Sequence, residues 1–201
     1  LEWQRWQSPL NAERFAQATG LFRQLVDAVH ATGLRIQVVT YPFLVHDAAA
    51  GNTAFQEFLQ VPVTPVAWDR IALMVYRSSF QDVSPLRLSS WLVYHYLELA
   101  RRVLEAQVIA ALGVIGSIGK IAEGGFREVD EIRRDIAAAR AAGVETLQLF
   151  SLDGMHQLWA PDEWLRLYPT PAAHPEPGRG DLLLVQTLRQ AHAALSGLGQ
   201  G

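Results

Sequence analysis

The chain has 201 residues, of which half are hydrophobic and 18% are charged, and its formal net charge is -3. This balance predicts a compact soluble fold and argues against nucleic acid or an anionic membrane surface as the main partner. No apolar run approaches the roughly 18 to 20 residues that a membrane-spanning helix needs. The absence of cysteine excludes disulfides and thiolate nucleophiles, and it fits a cytoplasmic protein or an exported one equally well.

Strand-like apolar runs recur along the chain at a nearly constant interval. They are found at 34–41, 71–76, 108–115 and 144–152. Counted between Val38, Met74, Ala111 and Gln148, the steps are 36, 37 and 37 residues. A step of this length is typical of a repeated strand-loop-helix-loop unit, so the pattern predicts an α/β fold with parallel strands.

Apolar residues recur at helical spacing between these strands and at both ends of the chain. The predicted helices are 11–32, 53–60, 89–105, 128–142, 161–168 and 181–196. Residues 169–180, rich in Pro, Gly and Ala, are expected to form a surface connection to the last helix, which should cover the last strand. With 1–201 taken as one domain, we predict about the last four to five units of a (β/α)8 TIM barrel, with helices outside the sheet. A complete barrel at this step needs roughly 300 residues, so the front strands are expected to be absent.

The candidate functional residues follow the strands, because the loops at the strands' carboxyl ends form the open mouth of such a barrel. One step back from Tyr41 places residues 1–3 at the end of a preceding strand. The candidates are Glu2, Trp3, Tyr41, Met74, Tyr76, Arg77 and Asp153. Aromatic rings cover the apolar faces of sugars, and carboxylates supply the acid and base that break glycosidic bonds. The set predicts a site for an oligosaccharide or glycan, with no cofactor.

Leu73-Met74-Val75-Tyr76 resembles the Met-x-Tyr-Asp segment of the sixth barrel strand in family 18 glycoside hydrolases, the chitinase-like proteins. Glu2 then falls where that family's fourth strand ends in its Asp-x-x-Asp-x-Asp-x-Glu motif, at the position of the general acid. The resemblance implies a sugar-active hydrolase in which Glu2 is the proton donor and the substrate's own acetamido group is the nucleophile. It also implies that Tyr76 supports the acetamido group. Arg77 stands where the family carries Asp.

Several of these residues also have a structural interpretation. Glu2 can also be interpreted as a solvated residue at a chain start, and Tyr41 and Tyr76 as core aromatics with satisfied hydroxyls. Gln37 and Gln148 lie in the middle of their strands and are expected to belong to a polar layer inside the barrel.

Arg77 is interpreted first as a structural ion-pair partner and second as a substrate contact. Its expected partners across the mouth are Glu2, Asp82 or Asp153, because a guanidinium and a carboxylate form strong charge-assisted hydrogen bonds.

Two other functions remain open from the sequence: a non-catalytic carbohydrate-binding barrel and a phosphate-ligand TIM-barrel enzyme. The second rests on the glycine-rich run 113–120, which follows the third strand and ends in Lys120. His46, Asp47, Asp153 and His156 are possible metal ligands by residue type. No metal is predicted, because no two of them have the helical i, i+4 ligand spacing.

Overall fold

The structure is a computed structural model that describes residues 11–80, 87–113, 125–126, 128–158 and 160–198. Four parallel strands form one sheet in the order β1-β2-β3-β4. They are β1 (Gln37–Thr40), β2 (Arg70–Val75), β3 (Gln107–Gly113) and β4 (Leu147–Phe150). The prediction of parallel neighbours in chain order is confirmed, and the molecule is a mixed α/β structure with helices around the sheet.

Eight α-helices occur in the described ranges. They are α1 (Ala12–His30), α2 (Val45–Ala50), α3 (Ala54–Leu59), α4 (Trp91–Val103), α5 (Val129–Ala141), α6 (Leu152–Leu158), α7 (Pro161–Leu165) and α8 (Arg179–Leu198). The ends of several are set by local chemistry: the Asn11 side chain caps α1 by accepting from the Arg14 N–H, and Glu128 and Glu131 form a capping box at the start of α5. Two short helices, α2 and α6, were not predicted.

The two faces of the sheet carry different side chains, because alternate residues of a strand point to opposite faces. Ile71, Leu73 and Leu112 belong to the main hydrophobic cluster, which also includes the buried residues of α4 and α5. The opposite face has a smaller cluster of Ala72, Ile109 and Ala111, with Met74 and Tyr76 packed against it. Met74 and Tyr76 therefore share one face of the sheet.

The sheet curls toward this second face, which we call the concave face. The side-chain amides of Gln37 on β1 and Gln148 on β4 exchange hydrogen bonds of 3.3 Å across it. The two residues lie three strand spacings apart and are offset along the strands. In a flat sheet their α-carbons would be about 19 Å apart, from a strand spacing of about 4.8 Å and a rise of about 3.3 Å per residue. Two glutamine side chains cannot bridge that distance, so their pairing requires strong curvature.

The last helix is placed differently from the prediction. It was expected to cover the last strand, but α8 packs mainly against α2 and α3. Near its end, His192 Nε2 lies 3.0 Å from Asn52 Oδ1, and at its start Asp181 accepts a hydrogen bond of 2.9 Å from the Ser89 N–H. An apolar stripe shows only that a helix has a buried face, whereas these buried polar contacts decide which neighbours it meets. The connection before it, 170–178, forms no helix or strand.

In the described part of the chain no helix combines the length and the apolar character needed to cross a bilayer.

Candidate functional site

A cavity of about 860 Å³ lies at the carboxyl ends of the strands. Its concave part is lined by side chains of the curled sheet face and its rim: Val39, Tyr41, Met74, Tyr76, Ala111 and Phe150. Its helix part continues over the end of the sheet and is lined by Val75, Leu92, Tyr96, Leu149, Leu184 and Leu188. A volume of this size is within the range of small-ligand sites, which lie preferentially at the carboxyl ends of parallel strands.

The concave part presents flat aromatic surfaces. The rings of Tyr76 and Phe150 are stacked, with centroids 5.7 Å apart and an interplanar angle of 5°. Tyr41 stacks on Phe43 at 5.4 Å and 13°. Tyr41 is 48% exposed and Phe150 is 43% exposed, so both keep ring surface open to solvent. Exposed, pre-stacked rings at a cavity rim suit a ligand with flat apolar faces.

Phe150 reaches this position because β4 approaches β3 closely at Gly113. A Cβ atom at Gly113 would collide with the backbone carbonyl oxygen of Phe150, so only glycine fits there. The first glycine of the run considered for phosphate binding is thus explained by strand packing. Residues 114–120 lie outside the described residues, and the phosphate-loop interpretation gains no support from them.

Few polar groups line the cavity in the described part of the chain. They come from Gln148, Ser79, Arg77, Tyr76 and Tyr96. No aspartate or glutamate is among the described lining residues. This part of the site can therefore bind and orient a ligand, but it offers no carboxylic general acid.

Arg77 forms a structural ion pair, but its partner is different from those predicted. Its Nε lies 3.0 Å from Asp135 Oδ1 on α5, and its NH1 donates to the Leu88 carbonyl oxygen at 3.1 Å. Its guanidinium carbon also lies 5.0 Å from the centroid of the Phe126 ring. Arg77 is 6% exposed, and Asp135 is fully buried. Burial raises the pKa of the Asp135 carboxyl, while Arg77 and the Ser90 hydroxyl act in the opposite direction.

Asp153 is not the partner of Arg77, because the two side chains lie on different sides of the cavity mouth. Arg77 follows Tyr76 and points to the helix side, where α5 presents Asp135. Asp153 instead lies on the exposed side of α6 and does not line the cavity. Because β4 ends at Phe150, earlier than the predicted residue 152, the strand-end position belongs to Phe150. The other two expected partners, Glu2 and Asp82, lie outside the described residues.

Four of the seven predicted site residues, Tyr41, Met74, Tyr76 and Arg77, line this one cavity. Glu2 and Trp3 lie outside the described residues. Phe150 and Tyr96 also line the cavity and were not among the predicted site residues. Phe150 has a sequence signal, since it shares a strand face with Gln148, whereas Tyr96 lies within the predicted helix 89–105, where helical spacing indicates only a buried face.

Two of the four residues considered as metal ligands, His46 and Asp47, are buried on the helix side. Asp47 is fully buried and accepts hydrogen bonds from the N–H groups of Phe55 at 3.0 Å and Gln56 at 2.9 Å, which caps α3. His192 Nε2 also lies 3.0 Å from Asp47 Oδ1. Burial lowers the pKa of His46 to about 4, and the positive charge of Arg189 adds to this effect. Within the described ranges, no three His, Asp or Glu side chains are grouped so that they could hold a metal ion.

Comparisons of the chain with models of protein families, with curated proteins and with solved structures found no match.

Proposed function

We propose that the protein is sugar-active and that the cavity at the carboxyl ends of its strands binds an oligosaccharide or glycan. The observation that carries the proposal is the pair of stacked aromatic units, Tyr76 with Phe150 and Tyr41 with Phe43, at the rim of one cavity. Sugar rings have apolar C–H faces that pack on aromatic rings, and the Gln148 amide can bond to ring hydroxyls.

The proposed architecture is a segment of a (β/α)8 barrel of the chitinase-like type. Three features support it: parallel strands in chain order, helices outside the sheet, and a curvature that brings Gln37 and Gln148 together across the concave face. The cavity lies at the end of the strands where such barrels place their sites.

For catalysis we propose Glu2 as the general acid, since the described lining contains no carboxylate. Its carboxyl proton would pass to the glycosidic oxygen as the bond to the anomeric carbon breaks. In the mechanism that the chitinase-like resemblance implies, the acetamido oxygen of the substrate attacks the anomeric carbon from the other side. Tyr76 would then hold the acetamido group in place.

Calorimetric titration with gluco-, manno- and N-acetylglucosamine oligosaccharides tests the binding. We expect one class to bind, and Tyr76→Ala to weaken that binding by about two- to tenfold, because an aromatic contact contributes about 0.5 to 1.5 kcal/mol. Tyr168→Ala is the matched control, because Tyr168 is 83% exposed and does not line the cavity. Absence of binding by every class, or equal losses in both variants, would contradict the proposal.

Hydrolysis is tested separately. Glu2→Gln should reduce cleavage of chromogenic β-glycosides by about 10²- to 10⁴-fold and leave binding intact, because the amide keeps the shape of the acid but has no proton to donate. Full activity in Glu2→Gln would place the proton donor elsewhere.

The second candidate is a non-catalytic carbohydrate-binding barrel. The lack of any carboxylate among the described lining residues favours it. A wild-type protein that binds an oligosaccharide tightly but cleaves none of the glycosides would select this alternative.

A further inference from the structure

The helix part of the cavity is far more apolar than a sugar requires. Leucines from two helices, Leu92 on α4 and Leu184 and Leu188 on α8, face the ends of the strands there. Leu92 is 3% exposed and belongs to the main core cluster. A sugar ring carries several hydroxyl groups, and each one buried among such leucines without a partner would cost about 1 to 3 kcal/mol.

Tyr96 is the polar side chain that the helices contribute to this lining. Tyr96 is 2% exposed, and its hydroxyl is buried without a hydrogen-bond partner among the residues that the structure describes. Buried hydroxyls in folded proteins are nearly always hydrogen-bonded, so an unpaired one at a cavity wall is available to bind a ligand. Burial raises the pKa of this hydroxyl above its ordinary value, so it stays protonated and can donate.

The two parts of the cavity are continuous and differ in chemistry. The concave part has stacked aromatic rings and the Gln148 amide, whereas the helix part has mainly aliphatic side chains, with the hydroxyl of Tyr96 and the ion-paired Arg77. A ligand that fills both parts needs a sugar at one end and an apolar group with one oxygen at the other.

We propose that the helix part binds the apolar aglycone of a glycoside, and that Tyr96 donates a hydrogen bond to an oxygen atom on that aglycone. This inference rests on the proposed sugar site in the concave part. It narrows the substrate class from glycans in general to glycosides with a hydrophobic aglycone. The residues that select the aglycone are Leu92, Tyr96, Leu184 and Leu188.

The test compares methyl, 4-ethylphenyl and 4-methoxyphenyl β-glycosides of glucose and of N-acetylglucosamine by calorimetry. In the wild type, replacing methyl by 4-ethylphenyl should tighten binding at least tenfold. Leu188→Ala should remove most of that gain. Leu183→Ala should have no effect, because Leu183 lies on the same helix, is 50% exposed and does not line the cavity.

The Tyr96 hydrogen bond is tested with two aglycones of nearly equal shape. The wild type should prefer 4-methoxyphenyl over 4-ethylphenyl, and Tyr96→Phe should abolish that preference. Because the Tyr96 hydroxyl has no partner in the described structure, Tyr96→Phe should fold normally. A preference that survives in Tyr96→Phe would overturn the role of this hydroxyl.

The remaining outcomes separate this inference from the proposed function. Binding of methyl glycosides with no gain from an aryl aglycone overturns the inference and leaves the sugar site standing. Equal binding of free 4-ethylphenol and its glycosides, with no binding of methyl glycosides, overturns both, because the cavity would then accept an apolar molecule without a sugar.

Discussion

The helix-covered face and the concave face of the same sheet are built for different tasks. On the helix side, Leu73 and Leu112 are completely buried against the helices. On the concave side, the corresponding central positions are occupied by Ala72 and Ala111. Large side chains fill one face to the density of a protein interior, and small ones leave space on the other.

The charged and aromatic residues follow the same division. Arg77 and its partner Asp135 are buried on the helix side, where they connect β2 to α5. The neighbouring residue Tyr76 stays on the concave side and stacks on Phe150. Adjacent residues of one segment thus serve stability and ligand binding separately, so the two properties should be separable by mutation.

The largest expected effect comes from breaking the buried ion pair on the helix side. Asp135→Ala should lower the free energy of unfolding by about 3 to 5 kcal/mol, because it leaves the Arg77 charge buried and unpaired. Denaturant unfolding followed by circular dichroism measures this loss.

The matched control for Asp135→Ala is Glu98→Ala. Glu98 pairs with Arg102 on the surface of α4, and exposed pairs of this spacing contribute only about 0.3 to 0.5 kcal/mol. Similar small losses in both variants would show that the Arg77–Asp135 pair does not stabilise the helix side.

A smaller effect is expected from the histidines on the helix side. Burial lowers the pKa of His46 and of His95 to about 4, so both are neutral in the folded protein above that pH. An unfolded histidine binds a proton below pH about 6.5, so these two groups make the protein less stable as the pH falls from about 6.5 to 4.

His46→Phe keeps a ring at this position and removes its titration. The difference in unfolding free energy between wild type and His46→Phe should therefore shift in favour of the variant between pH about 6.5 and 4. Thermal or urea unfolding at a series of pH values measures it. A difference that stays constant over this range would show that His46 titrates normally in the folded protein.

The strand order could be predicted from the sequence because each apolar run repeats at a fixed step and parallel units connect to their neighbours. The end of β4 was less certain, since Leu152 continues the apolar run but begins α6. The predicted strand therefore ended two residues too late, and Phe150 was not recognised as a strand-end residue. Alternation along a strand is sufficient to place Met74 and Tyr76 on one face, where the structure has them.

The pairing of Arg77 with Asp135 had no sequence signal. Asp135 stands beside Arg133 and Arg134 on α5, a pattern typical of a solvated helix face. Only the way α5 packs on the sheet turns Asp135 inward toward Arg77. The contribution of α8 to the cavity could not be predicted from the sequence either. The packing partners of this helix are set by tertiary contacts such as that of Asp181 with Ser89.

The most direct test of the ligand site compares two adjacent alanines of β3, Ala110 on the helix side and Ala111 on the concave side. Calorimetric titration with the oligosaccharide that the wild type binds, combined with denaturant unfolding, should separate them. Ala111→Leu should fill the cavity and abolish binding with little change in stability. Ala110→Leu should cost about 1 to 3 kcal/mol by overpacking the core and retain binding. Wild-type affinity in Ala111→Leu would contradict the assignment of the cavity as the ligand site.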